Sequence, residues 1–268
     1  NESQSMIDFV ITHFHRAGSS YLQNLLGSHR EIICLFRPFG ADLYGHMKSK
    51  DDYFNAIYAV NEERLRKLSR TYLYDKDWRW IKKNIDNWDK IFSECSVGSD
   101  NIKVGVKFSF DEYHNHKDLY EYVKNTTGPY GTKVIFLKRR NLLRQVYSYY
   151  KALHGHRDDW VYWDPNEKIE KKVYRFTENW LRRTFDIVED CYRRYEHIPH
   201  LRVDYEDLLD NRDEELSRIY KYLGVDEDPD YKPLVPLQQN THHMSEVIEN
   251  FDELKNKFKG TKYYAFFE

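Results

Sequence analysis

The sequence predicts an α/β fold in three layers, in which helices flank both faces of a central, mostly parallel sheet. Short apolar runs rich in β-branched side chains alternate along the chain with longer segments of helical periodicity. Connections that contain a whole helix join strands that run parallel in one sheet. The chain shows no internal repeat and no low-complexity tract, so we expect a single domain over residues 1–268.

Five runs predict strands, and local signals bound them. The first, MIDFVIT, stops at a polar stretch that contains Gly18, and the second stops before Pro38. The third, IKVGVKFSF, alternates in polarity, and the fourth, KVIFL, has the composition of a fully buried strand. The predicted strands span residues 6–12, 31–36, 102–110, 133–137 and 200–203.

Helical spacing of apolar residues follows the strands. Gly128 ends one of these segments, and Gly224 ends another. The predicted helices span residues 19–26, 112–124, 141–153, 167–194, 206–223 and 245–258. Residues from about 50–95 are charged, rich in Tyr and Trp, and helical in period, so they predict a helical insertion.

Composition and charge narrow the classes of function. The 268 residues carry a net charge of −2, so the chain lacks the basic field that sequence-independent nucleic-acid binding needs. Cys34, Cys95 and Cys191 show no CxxC spacing, which argues against a disulfide framework and a structural zinc site. No apolar run reaches the ~18 residues of a membrane span, and no signal-peptide pattern is present. We expect a cytoplasmic protein, and the sequence leaves its oligomeric state open.

A candidate anion-binding loop lies between the first predicted strand and its helix. It reads Arg16-Ala17-Gly18-Ser19-Ser20. Backbone N–H groups at a helix start carry partial positive charge, so a tight loop there can cradle an anion. Gly18 permits close approach, the Ser hydroxyls donate hydrogen bonds, and the planar Arg16 guanidinium suits phosphate or sulfate oxygens. The alternative interpretation is an ordinary polar loop with a Ser helix cap.

A second candidate lies at the end of the fourth predicted strand. Arg140 precedes a helix there, and Ser148 lies eight residues further on. The long Arg140 side chain can reach the same anion as the Ser148 hydroxyl. The alternative interpretation is a solvated basic turn and a helical Ser bonded to its own backbone.

Together, the two motifs resemble the nucleotide signatures of the sulfotransferases that use 3′-phosphoadenosine 5′-phosphosulfate (PAPS). In that family a loop of the type Lys/Arg-Ser-Gly-Thr-Thr grips the 5′-phosphosulfate, and residues 16–20 match it with Ala17 in place of Ser. The second signature is Arg-Asn followed by a helical Ser, which hold the 3′-phosphate, and Arg140 and Ser148 match it. The resemblance implies a P-loop-like α/β fold and PAPS as co-substrate, with no metal.

Two further segments carry the resemblance. Residues 203–209 look like the family's Tyr-Glu-Asp-Leu stretch, whose Tyr, here Tyr205, lies near the adenine. Residues 248–261 look like the C-terminal segment of bacterial carbohydrate and nodulation-type members. The resemblance therefore implies a small-molecule or glycan acceptor, with a carbohydrate hydroxyl preferred. The Gly-rich C-terminal nucleotide loop of animal members is missing, which leaves residues 239–241 as candidates for its contact.

The resemblance also implies roles in catalysis. Arg16 would stabilise the leaving phosphate, because sulfuryl transfer, like phosphoryl transfer, places charge on the leaving oxygen. Ser148 would hold that basic side chain until the acceptor binds. Lys107 is a candidate for orienting donor or acceptor oxygens.

The general base is the least specified residue. The His that follows the third strand in cytosolic animal members is replaced here by Ser109. Asp111 is the first candidate, with a helix cap as its alternative interpretation, and His114 is the second. Other acids and imidazoles near the same strand end or the anion loop are Glu112, His116, His13 and His15.

Two other classes of protein fit parts of the sequence. A P-loop nucleotide kinase would explain the strand-loop-helix start, but the GxxxxGK[ST] pattern is absent. A non-catalytic protein that binds a phosphorylated or sulfated ligand would use the same loop and need no general base. Three His-x-His pairs, at 13/15, 114/116 and 154/156, lack the carboxylate or Cys that would complete a metal site.

Overall fold

The centre of the molecule is a sheet of five strands in the order β2-β3-β1-β4-β5. The computed structural model describes residues 8–27, 29, 31–35, 103–109, 131–154, 171–227 and 242–268. Every strand pair in this sheet is parallel. The strands are β1 (Phe9–His13), β2 (Ile32–Leu35), β3 (Lys103–Ser109), β4 (Lys133–Lys138) and β5 (Leu201–Asp204).

Helices follow the strands as the periodicity predicts. They are α1 (Ser19–Gly27), α2 (Leu142–His154), α3 (Glu178–Tyr195), α4 (Tyr205–Asp210), α5 (Arg212–Leu223), α6 (Met244–Val247) and α7 (Phe251–Phe258), followed by a 3₁₀ helix, Tyr264–Phe267. The predicted insertion at about 50–95 and the predicted helix at 112–124 lie outside the described residues.

Two hydrophobic clusters cover the two faces of the sheet. On one face, α1 and α5 pack against side chains that include Ile11 and Leu137. On the other face, α2, α3 and α7 pack against side chains that include Val10 and Phe136. Successive residues of a strand point to opposite faces, so β1 and β4 are apolar at consecutive positions. The predicted three-layer α/β fold is confirmed.

The long helix predicted at 167–194 begins only at Glu178, because the residues before it have other partners. Thr177 caps α3, its side chain accepting a hydrogen bond from the Trp180 N–H at 3.3 Å. Tyr174 forms a parallel bridge to Ile248, in which its N–H donates to the Val247 carbonyl at 3.0 Å. That contact joins segments distant in sequence, so local periodicity does not reveal it.

Two other predicted helices are each divided in two. The helix at 206–223 begins at Tyr205 and is interrupted at Asn211, whose backbone (φ −134, ψ 46) is not helical. The helix at 245–258 is interrupted before Phe251. There the buried Asn250 side chain donates to the Phe176 carbonyl at 2.9 Å and accepts from the Phe176 N–H at 3.2 Å. These two hydrogen bonds pair the backbone carbonyl and N–H of Phe176, which lies buried just before α3.

The strand order positions the site. β1 lies between β3 and β4, and the chain leaves β1 toward β2 but leaves β4 toward β5, on the opposite side. In open parallel sheets, ligands bind outside the carboxyl ends of the strands where the connections diverge in this way. His13 lies level with Leu137 in the register of β1 and β4, so the residues that follow both strands share one crevice.

In the described part of the chain, no helix combines the length and apolar character required to cross a membrane.

Candidate active site

The loop between β1 and α1 has two residues in the left-handed region, Arg16 (φ 63) and Gly18 (φ 92). Glycine adopts this conformation freely, whereas for an L residue it costs about 1–2 kcal/mol. The turn is closed by the Ala17 N–H, which donates to the Phe14 carbonyl at 3.2 Å. Arg16 therefore needs contacts outside the loop to hold its backbone in place.

Side chains from the end of β4 and from α2 supply these contacts. The buried Gln145 side chain donates to the His15 carbonyl at 2.9 Å. Arg139 donates from Nη1 to the Arg16 carbonyl at 3.3 Å. Gln145 also donates to the hydroxyl of the buried Tyr192 at 3.3 Å, which ties the loop to α3.

Arg16 and Ser148, one from each predicted signature, meet in the structure. The Arg16 Nε donates to the Ser148 Oγ at 3.0 Å across 132 residues of sequence. Because Ser148 lies on α2 and Arg16 follows β1, the contact spans the crevice between the two connections. The hydroxyl is a neutral acceptor, so this bond orients the guanidinium without neutralising its charge.

Tyr205 lies directly over Gly18. A Cβ placed on Gly18 would overlap the Tyr205 ring, so this position requires glycine for space as well as for its backbone. Tyr21 meets the same ring edge to face, with centroids 6.2 Å apart. Burial raises the pKa of Tyr205, which keeps its hydroxyl protonated at neutral pH. The loop and the start of α4 thus form one packed unit, and the predicted place of Tyr205 near an adenine stays a prediction.

Lys107 reaches the same loop from β3. Its side chain is buried, and its Nζ donates to the Ser20 Oγ at 3.1 Å.

The Cys34 thiol is also buried, and burial raises its pKa to about 12. A thiol with this pKa stays protonated at neutral pH and is not a nucleophile.

Arg140 lies apart from Ser148 and faces acidic residues instead. Its Nη1 is 2.7 Å from the Asp207 Oδ1. The Glu206 carboxylate accepts hydrogen bonds from the N–H groups of Arg140 at 2.9 Å and Asn141 at 3.2 Å, at the start of α2. Arg140 precedes α2 and Ser148 lies at its middle, and eight residues of a helix span about 12 Å. A shared anion contact for these two residues stays a prediction.

The candidate bases are only partly described. Asp111, His114, Glu112 and His116 lie outside the described residues, so their roles stay predictions. His13 is buried, and its Nδ1 lies 3.0 Å from the Phe14 carbonyl. His15 stacks on Tyr149, with ring centroids 5.8 Å apart and an angle of 13° between the rings. Ser109 is buried at the end of β3.

Several residues of the site were not predicted from the sequence. Three of them contact the candidate anion loop or the residues just before α2: Arg139, Gln145 and Glu206. The fourth is Tyr21, which lines an open groove of about 510 Å³ together with residues 209–214. Arg139 is adjacent to Arg140, and the pair of consecutive Arg residues could have indicated it. Gln145 is a polar residue on the apolar face of a predicted helix, which is also a detectable signal.

Within the described ranges, no group of three or more His, Cys, Asp or Glu side chains is arranged to hold a metal ion.

These features define an α/β protein in which Arg16, Lys107 and Arg139 meet at a tight loop where the sheet connections diverge. Comparison with known families identifies the class more closely. Residues 131–230 match the model described as the sulfotransferase family, and this segment contains Arg139, Arg140, Ser148 and Tyr205. The predicted resemblance to the sulfotransferase family is confirmed over this segment, and it supports a sulfotransferase activity, whereas PAPS dependence and the likeness to carbohydrate-type members stay predictions. A search of curated proteins gives no significant match.

A comparison with solved structures returns two sulfotransferase domains, both at low similarity. One is the sulfotransferase domain from the Synechococcus PCC 7002 olefin synthase, with 15% sequence identity and a TM-score of 0.44. The match covers 90% of this chain and 82% of that domain. The other comes from the curacin biosynthetic pathway; it is 15% identical with a TM-score of 0.41, covering 96% of this chain and 91% of that one.

The packing of Tyr205 on Gly18 can be tested by stability measurements. Gly18→Ala should lower the free energy of unfolding by about 3 kcal/mol, because left-handed strain and overlap with the ring add together. Gly224→Ala is a matched control, since Gly224 also has a positive φ (77) but a Cβ there would lie 3.7 Å from its nearest neighbour, the Lys133 Nζ. We expect Gly224→Ala to lower the free energy of unfolding by about 1 kcal/mol. If urea denaturation shows that Gly18→Ala and Gly224→Ala lose the same free energy of unfolding, the placement of the Tyr205 ring over Gly18 is wrong.

Proposed function

We propose that the protein transfers a sulfuryl group from PAPS to an acceptor hydroxyl. The observation that carries the proposal is the contact between Arg16 and Ser148, which unites two motifs that separately resemble sulfotransferase signatures. The match of residues 131–230 to the sulfotransferase family supports the same reaction class. The donor is inferred from the resemblance, and so is the preference for a carbohydrate hydroxyl.

The residues around the loop fit a donor with a phosphosulfate group. When bound, PAPS would supply an activated sulfuryl group and a phosphate leaving group. The first N–H groups of α1 have no acceptor within the helix and carry partial positive charge. The Tyr205 ring fills the side-chain space at Gly18, and Arg16, which follows β1, and Lys107 of β3 bring cationic groups to the loop. This arrangement suits an anion with several oxygens.

In this proposal Arg16 acts on the leaving oxygen. Charge develops there as the bond to sulfur lengthens, and a guanidinium held in place beforehand stabilises it without reorganisation. Ser148 orients the Arg16 Nε, so the side chain is positioned before the reaction. Lys107 and Ser20 form a second polar pair on the other side of the loop, suited to orienting oxygens of the donor or the acceptor.

The aromatic pair Tyr21 and Tyr205 would receive the nucleotide base. Their rings meet beside the loop, and Tyr21 also lines the open groove next to the start of α5. The Tyr205 ring already lies against Gly18 and the Arg139 guanidinium, so stacking, worth about 1–3 kcal/mol per base, would fall to Tyr21. The acceptor hydroxyl needs a general base, for which Asp111 and His114 stay the candidates.

Calorimetric titration tests the donor class directly. We expect 3′-phosphoadenosine 5′-phosphate (PAP) to bind at least about tenfold more tightly than 5′-AMP, because the 3′-phosphate adds a charge-assisted contact worth roughly 1.5–3 kcal/mol. ADP and ATP titrated into the same preparation test the kinase alternative. A preference for ATP would support the kinase, and PAP binding without turnover on any acceptor would support the non-catalytic alternative.

Arg140 and Asp207 provide a test of the 3′-phosphate contact. Arg140→Ala should weaken PAP binding by about 2 kcal/mol or more through loss of that contact. Asp207→Asn should tighten it about threefold, because exposed ion pairs like this one contribute only ~0.2–1 kcal/mol and the freed guanidinium becomes available. Asp190→Asn removes a similar surface pair on α3 and serves as control. Unchanged affinity in Arg140→Ala would show that the 3′-phosphate binds elsewhere.

Arg16→Ala should separate catalysis from binding. We expect kcat to fall by about two orders of magnitude, as for loss of a group that stabilises transition-state charge. The Kd of PAP should rise by less than about tenfold, since the loop N–H groups remain. Single-turnover kinetics and calorimetry on the same variant measure the two effects. Equal losses in kcat and affinity would assign Arg16 a purely binding role.

A further inference from the structure

Arg139 follows β4 and extends behind the loop that joins β1 to α1. Its Nε is buried and has no hydrogen-bond partner among the described residues. Burial lowers the pKa of its guanidinium, while the nearby Tyr205 and Glu206 act in the opposite direction. An Arg side chain remains protonated at neutral pH, so the fold retains an incompletely satisfied cation away from water. Burying a charged group without all of its hydrogen bonds lowers the stability of the fold, so we expect its contacts to have a role that compensates for this loss.

The contacts of Arg139 indicate that role. Its Nη1 donates to the carbonyl of Arg16, the residue with the positive φ of 63. The centre of its guanidinium lies 4.9 Å from the centroid of the Tyr205 ring. One planar group therefore contacts both the backbone that carries Arg16 and the ring that covers Gly18.

We propose that Arg139 is a positioning residue for the donor site, an inference that rests on the proposed function. It fixes the Arg16 backbone so that the Arg16 side chain meets Ser148, and it holds the Tyr205 ring against Gly18. Arg139 thus couples the part of the site assigned to the phosphosulfate to the part assigned to the base. It acts through these two residues.

The geometry requires Arg at this position. The Arg139 guanidinium donates to the Arg16 carbonyl and lies over the Tyr205 ring at the same time. A Lys ammonium is a point charge on a flexible stem, so it can make one of these contacts at a time. Arg139→Lys keeps the charge behind the loop and removes the simultaneous contact, which separates geometry from charge.

The test is calorimetric titration of the whole chain with PAP, together with thermal unfolding of each variant without ligand. We expect Arg139→Lys to bind PAP at least threefold more weakly than wild type, and Arg139→Met about tenfold more weakly. Arg183→Met, an exposed position on α3, should bind as wild type does. Arg139→Met combined with Tyr205→Leu should lose less affinity than the product of the two single losses, because both act through the same ring.

The outcomes distinguish this inference from the proposed function. If wild type does not bind PAP, the proposed function is wrong and the role of Arg139 in it is wrong too. If wild type binds PAP and Arg139→Lys binds equally well, the positioning role alone is wrong. A lowered Tm with unchanged affinity would assign Arg139 to stability only. Since Arg139→Lys keeps the charge and the stem, it decides the matter even if Arg139→Met does not fold.

Discussion

The candidate site depends on the left-handed turn at Arg16 and Gly18. Gly18 adopts its φ without strain, but Arg16 does so only because side chains from elsewhere hold the loop. Gln145 and Ser148 come from α2, and Arg139 comes from the turn before it. The loop and the start of α2 are therefore one mechanical unit, and a change in either alters the direction of the Arg16 side chain.

The parallel register of the sheet makes this unit possible. β1 and β4 pair from Phe9 with Lys133 to His13 with Leu137, so both strands end at the same level. The chain then departs in opposite directions, which opens a crevice instead of a packed corner. β3 ends level with His13 on the other side of β1, at Ser109.

Much of this architecture could be predicted from local signals. Buried strands are apolar at every position, and a Gly before a helix marks a tight loop, so β1, β4 and the anion loop were predictable from a few residues each. The helix interruptions were not predictable in this way, because they depend on distant partners such as Asn250 with Phe176 and Tyr174 with Ile248. The roles of the predicted bases, and of the insertion at about 50–95, stay predictions.

The acidic partners of Arg140 were missed for the same reason, and they bear on the proposed 3′-phosphate contact. Glu206 accepts the N–H groups of Arg140 and Asn141 just before α2, so a 3′-phosphate bound there would rely on the Arg140 guanidinium in place of these two N–H groups. It would compete with Asp207 for that guanidinium. A phosphate monoester carries about two negative charges at neutral pH and loses one below a pKa of about 6, whereas a carboxylate carries one. If a 3′-phosphate binds at Arg140 as proposed, its advantage over the Asp207 carboxylate would be larger at neutral pH than in acid.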